Sequence, residues 1–107
     1  MAAESKLERE IIEELELLFP DCIILKNYGN FMQGFPDRLI LYQDRWAAFE
    51  VKAFKTAPHR PNQDYYIRLL NGMSFAAFVY PQNKEVFLDE IQRALRPDRR
   101  ARILKRK

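Results

Sequence analysis

Four charged or polar positions carry the chemistry that this 107-residue chain can offer: Asp37 after Pro36, Glu50 and Lys52 around Val51, and Gln63 after Pro61-Asn62. In an extended strand side chains alternate faces, so Glu50 and Lys52 project together while Phe49 and Val51 turn toward apolar packing. If Asp37 opens one strand of a hairpin and Glu50 nearly ends the next, the two carboxylates meet at one end, with Lys52 beside them. Converging carboxylates repel unless a cation lies between them. Mg²⁺ or Mn²⁺ prefers such oxygen donors, and in that place can polarise a phosphate and activate a water. Lys52 could hold or help deprotonate that water, or neutralise developing charge. The set suits phosphodiester hydrolysis. The bland alternative is a solvent-facing strand edge with a Glu–Lys pair and a Pro-Asp that merely opens a strand.

The elements that must position these residues are readable from periodicity. Ser5 and Glu8 have capping-box spacing, and Leu7, Ile11, Ile12, Leu15 and Leu18 recur as on one helix face, with Pro20-Asp21 as its stop. Short apolar runs predict strands at 22–25, 37–42 and 45–52, the last two joined by Gln43-Asp44 as a hairpin turn. Residues 62–70 read as a helix stopped by Asn71-Gly72, 75–80 as a buried strand, and 84–95 as an amphipathic helix with Val86, Phe87, Ile91, Ala94 and Leu95 inward. The order is α-β-β-β-α-β-α. It predicts an α/β fold: one mixed sheet flanked by helices, its last strand reached by a right-handed crossover. Residues 1–96 form one domain, and 97–107 a basic tail.

Composition narrows the class. One Cys excludes an internal disulfide framework and any CxxC zinc or redox site; Cys22, in an apolar run, reads as a small buried hydrophobe. No apolar run approaches membrane-spanning length, and the charged start has no signal-peptide core. A non-membrane, non-secreted, cytoplasmic protein is expected. The net charge of +3 conceals a split: residues 93–107 hold eight Lys and Arg against Asp98 alone, which leaves the preceding 92 residues net acidic. A basic tail on an acidic body points to polyanions, with Arg99, Arg100, Arg102 and Lys105 as candidate DNA contacts. Lys55 and Arg60, in the polar loop after Lys52, are candidates to grip phosphates. His59 in that loop reads as solvated. Tyr65 and Tyr66 read as helix packing with one ring wet, and Phe31 and Met32 as a dimer contact or a cover for the core edge.

Gly34-Phe35-Pro36-Asp37, Phe49-Glu50-Val51-Lys52, and Pro61-Asn62-Gln63 leading into a helix that closes with Asn71-Gly72, together resemble the VRR-Nuc group of the PD-(D/E)XK nuclease superfamily, across about residues 29–80. The small size resembles the stand-alone phage and bacterial versions, which are similar to Holliday-junction resolvases in being dimers that nick branched DNA. The resemblance implies a restriction-endonuclease-like core and an Mg- or Mn-dependent endodeoxyribonuclease of a bacterial or phage-infected cell. Asp37 and Glu50 would be metal ligands, the Val51 carbonyl a third, and Lys52 the catalytic lysine. Gln63 would orient water, substrate or Lys52. A first-helix carboxylate would join them: Glu8, unless it serves the capping box with Ser5, or else Glu13. A homodimer is expected, because one small domain holds one site and a junction presents two strands. The alternatives are a structured-DNA-binding module without catalysis and a flap or single-strand nuclease of the same fold.

Overall fold

The computed structural model describes residues 2–28 and 32–96. Its elements are α1 (Ala2–Leu18), β1 (Ile23–Lys26), β2 (Arg38–Tyr42), β3 (Arg45–Val51), α2 (Gln63–Met73), β4 (Phe75–Val79), a 3₁₀ turn (Pro81–Asn83) and α3 (Lys84–Leu95). The four strands lie in the order β1-β2-β3-β4. β2 pairs antiparallel with both β1 and β3, and β4 returns parallel to β3 after α2. The expected α/β architecture, with one mixed sheet and three helices, is the one observed.

Alternation along the strands divides the apolar residues between two faces. Ile40, Ala47, Phe49, Val51 and Val79 pack against Leu7, Ile11 and Leu15 of α1 and Phe87, Leu88, Ile91 and Leu95 of α3 in the main core. Ala48 and Ala76 point the other way, to Leu70 of α2. Their small side chains let a helix lie close to the sheet.

Three local readings are corrected. Helix α1 begins at Ala2, so Ser5 lies inside it and the Ser5–Glu8 spacing caps nothing. Helix α2 runs through Asn71-Gly72 and stops at Ser74, whose N–H donates to the Leu70 carbonyl; Asn71 instead accepts from the Ala76 N–H at 3.1 Å, tying the helix end to β4. In α3, Val86 is exposed and Leu88 takes its place in the core, because the inward stripe follows Phe87, Leu88, Ile91 and Leu95.

One turn matters for the site. Gly34 has φ +90°, and a Cβ there would lie 2.6 Å from both the Asn62 Cβ and the Pro61 carbonyl oxygen. The segment before Asp37 is therefore pressed against the segment before α2, which only a glycine permits. Asn62 itself is left-handed, at φ 72°. Gly34→Ala is expected to cost about 2 kcal/mol or more from positive φ and overpacking, lowering Tm by roughly 10 °C in a thermal melt. An unchanged Tm would show that this contact is not needed.

Candidate functional site

The end of the β2–β3 hairpin assembles the site. The register pairs Arg38 with Phe49, which places Asp37 opposite Glu50, one step beyond. The Asp37 N–H donates to Glu50 Oε1 at 2.9 Å, and the Asp37 carbonyl accepts from the Asn27 N–H at 2.7 Å. Pro36, fully buried, fixes the approach. Past the end of β3 the Lys52 N–H continues the parallel pairing by donating to the Val79 carbonyl at 2.8 Å.

Among the described residues, the buried polar side chains are Glu50 (7% exposed), Lys52 (7%) and Gln63 (5%). All three are candidates from the sequence, and they are connected. Lys52 Nζ donates to Gln63 Oε1 at 2.8 Å and to the Pro58 carbonyl at 3.0 Å. Gln63 Oε1 also accepts the Arg60 N–H at 2.8 Å. The first residue of α2 thus holds both the lysine and the loop leading into the helix. An ammonium has three hydrogens, and these two contacts leave one to spend.

These residues line a polar cavity of about 560 Å³, whose wall includes Asp37, Glu50, Lys52 and Gln63, together with Glu4, Tyr28, Gln33 and Arg60. Burial, and then the neighbouring charge of Asp37, push the Glu50 carboxyl up to about 7, although the Asp37 N–H and the Lys52 charge oppose the rise. Among the described residues no three His, Cys, Asp or Glu side chains form a ready cluster. The donor set is nonetheless all oxygen, with two carboxylates opposed across a hairpin, and Mg²⁺ commonly binds through one or two carboxylates while keeping several waters. The residues present fit a hard divalent cation. The Val51 side chain lies in the core, so only its backbone carbonyl is left as a donor.

The other expected positions divide. Glu8 pairs with Arg38, its Oε2 accepting from Arg38 Nε at 2.6 Å, and the α1 carboxylate on the cavity wall is Glu4, one turn earlier. Glu4 lies within α1 because the helix starts at Ala2. Glu13 is exposed, and so is Lys55, which does not line the cavity, whereas Arg60 does. His59 is not simply solvated: Nδ1 sits 2.8 Å from Asp64 Oδ1, and the ring stacks on Phe78 at 4.0 Å between centroids. Tyr66 meets Phe35 edge-on while Tyr65 is the wet ring. Cys22 packs against the main core. Arg99, Arg100, Arg102 and Lys105 lie outside the described residues, as does Phe31. Of the basic C-terminal run, Arg96 stacks over Phe19 and Tyr42 and donates to the Leu18 carbonyl, and Arg93 pairs with Asp89 at 2.9 Å.

The raised Glu50 carboxyl predicts a pH dependence. Between its ordinary value of 4.5 and about 7 the folded state holds a proton that the unfolded chain has released, so stability falls as pH rises through that window, by about 3 kcal/mol in all. In chelator-treated buffer Glu50→Gln should match wild type near pH 4 and melt higher near pH 8. Parallel stability curves for the two proteins would mean that Glu50 is not strained. Set against family models, curated proteins and solved structures, the chain matches none, so the meaning of this site rests on its own geometry.

Proposed function

We propose that this protein is a divalent-metal-dependent nuclease that hydrolyses DNA phosphodiester bonds, of the VRR-Nuc type within the PD-(D/E)XK superfamily. The observation that carries the reading is the connected set of buried polar groups: Glu50 opposed to Asp37, with Lys52 gripped by Gln63, in one polar cavity. Burying a carboxylate and an ammonium in a small domain is costly. A solvent-facing strand edge would leave both in water, so the bland reading does not account for them.

Asp37 and Glu50 would hold Mg²⁺ or Mn²⁺, which when bound supplies charge against the phosphate and a water of lowered pKa. The remaining chemistry belongs to the chain. Gln63 and the Pro58 carbonyl restrict the Lys52 ammonium to one place, so that its free hydrogen can meet a phosphate oxygen or the attacking water without reorganisation. Arg60, on the same wall, can take the neighbouring phosphate. The cavity's polar lining suits a sugar–phosphate backbone better than an apolar ligand.

Branched DNA and a homodimer are part of the proposal. Helix α2 leaves the β1 side of its sheet face open, where Ile23 and Leu25 are about half exposed, and its own outer side presents Tyr65, Leu69 and Met73. Each copy thus offers an apolar shelf and an apolar ridge. A two-fold pairing seats each ridge on the other's shelf, as an isologous interface requires, and brings two sites to a substrate with two strands to cut.

Two measurements check the proposal. On a four-way junction with Mn²⁺ or Mg²⁺, Asp37→Asn and Lys52→Met should cut at least about a hundredfold more slowly than wild type, and Gln63→Leu roughly tenfold to a hundredfold more slowly, with circular dichroism confirming folding. Variants that cut as well as wild type would show the site to be wrong. Junction binding in EDTA without cleavage in any metal would make the protein a binding module, and cleavage confined to flaps or single strands would move the substrate. In sedimentation, wild type should run as a dimer and Leu69→Asp as a folded monomer; a monomeric wild type would remove the two-fold arrangement.

A further inference from the structure

Lys26, the last residue of β1, lies outside the reaction just described, yet its ammonium contacts Asp37, a residue of the cavity wall. Its Nζ donates to Asp37 Oδ2 at 3.3 Å and lies 4.0 Å from Glu8 Oε2. It also sits 5.9 Å from the centre of the Tyr28 ring. Register explains the position: Lys26 pairs with Arg38 across β1–β2, so the two cations stand side by side toward α1. Arg38 takes Glu8 at 2.6 Å, and Lys26 is left to reach between Glu8 and Asp37.

We infer that Lys26 is a built-in counter-cation for the metal site, held by Asp37 when no divalent ion is bound and displaced toward Glu8 when one arrives. The inference rests on the metal-site reading of Asp37 and Glu50. Two carboxylates opposed across a hairpin cannot both be bare without repulsion; a Lys on Asp37 relieves it in the metal-free protein. An incoming cation must then compete with that ammonium for Asp37 Oδ2. The displaced Lys26 does not lose its ion pair, because Glu8 is already within 4.0 Å. This gives Glu8 a part in the site without making it a ligand: it is the alternative seat of the competing charge. Lys26 is thus a positioning residue that sets how much metal the site demands. The pair is about one-third exposed on both sides, so its effect is moderated by water and weakened by salt.

The test is Mn²⁺ binding, measured by calorimetry and by the electron paramagnetic resonance signal of free Mn²⁺, with no DNA present. Lys26→Met should bind Mn²⁺ about tenfold more tightly than wild type at low ionic strength, while Lys26→Arg, which keeps the charge, should stay within about threefold of wild type. The gap between Lys26→Met and wild type should narrow at 1 M salt. Asp37→Asn should lose binding and so locate the ion. If wild type binds Mn²⁺ and Lys26→Met binds it equally or more weakly, the counter-cation role is overturned while the metal site stands. If neither binds Mn²⁺ at millimolar concentration, the metal reading falls, and this inference with it.

Discussion

Glu50 and Lys52 are held below the surface at the end of β3, on the same side of the sheet, and the segments leading into β2 and α2 supply their partners. A buried ionisable group needs partners. Lys52 finds them in the Gln63 side chain and the Pro58 carbonyl, which obliges the chain between β3 and α2 to fold back over the strand end. Gln63 can serve only if it opens α2, and Asn62 adopts a left-handed backbone to turn the chain into that helix. Glu50 finds the Asp37 N–H, which obliges the segment before β2 to approach the same spot. Gly34 allows the two segments to touch.

The remaining strain is electrostatic. Gln63 and the Pro58 carbonyl hold Lys52 by two hydrogen bonds, whereas among the described residues Glu50 accepts from the Asp37 N–H while burial and Asp37 push its proton affinity up. A group made uncomfortable in this way is relieved either by a proton or by a cation, and which one holds it depends on pH and on the ions present. Lys26, on the far side of Asp37, supplies partial relief from within the chain. The site therefore combines a rigid half, the lysine and its clamp, with a half whose charge balance is left open.

The apolar architecture follows simpler rules. The main core fills one face of the sheet with large residues from α1 and α3. The second face carries alanines under α2 and leaves β1 thinly covered. That asymmetry leaves Ile23 and Leu25 of β1 about half exposed.

The β2–β3 hairpin, the element order and the candidates Asp37, Glu50, Lys52 and Gln63 were legible in the residues themselves, because strand alternation and helical periodicity are local and a two-residue turn leaves one register for a hairpin; the pairing of β1 with β2 was not. Helix ends were less legible: the Ser5–Glu8 spacing and Asn71-Gly72 both resemble end signals, but α1 starts before the first and α2 runs through the second. Which α1 carboxylate reaches the cavity could not be read locally, since Glu4 and Glu8 share a helix face and only the placement of Arg38 beside α1 separates them. The attachment of His59 to Asp64 and Phe78 and the reach of Lys26 to Asp37 are likewise meetings between segments. Sequence alone determined which residues could do chemistry and on which strands they stand. Tertiary structure decided which of them are dry, which are paired and which compete, because desolvation and ion pairing depend on distances between parts of the chain that no local pattern encodes.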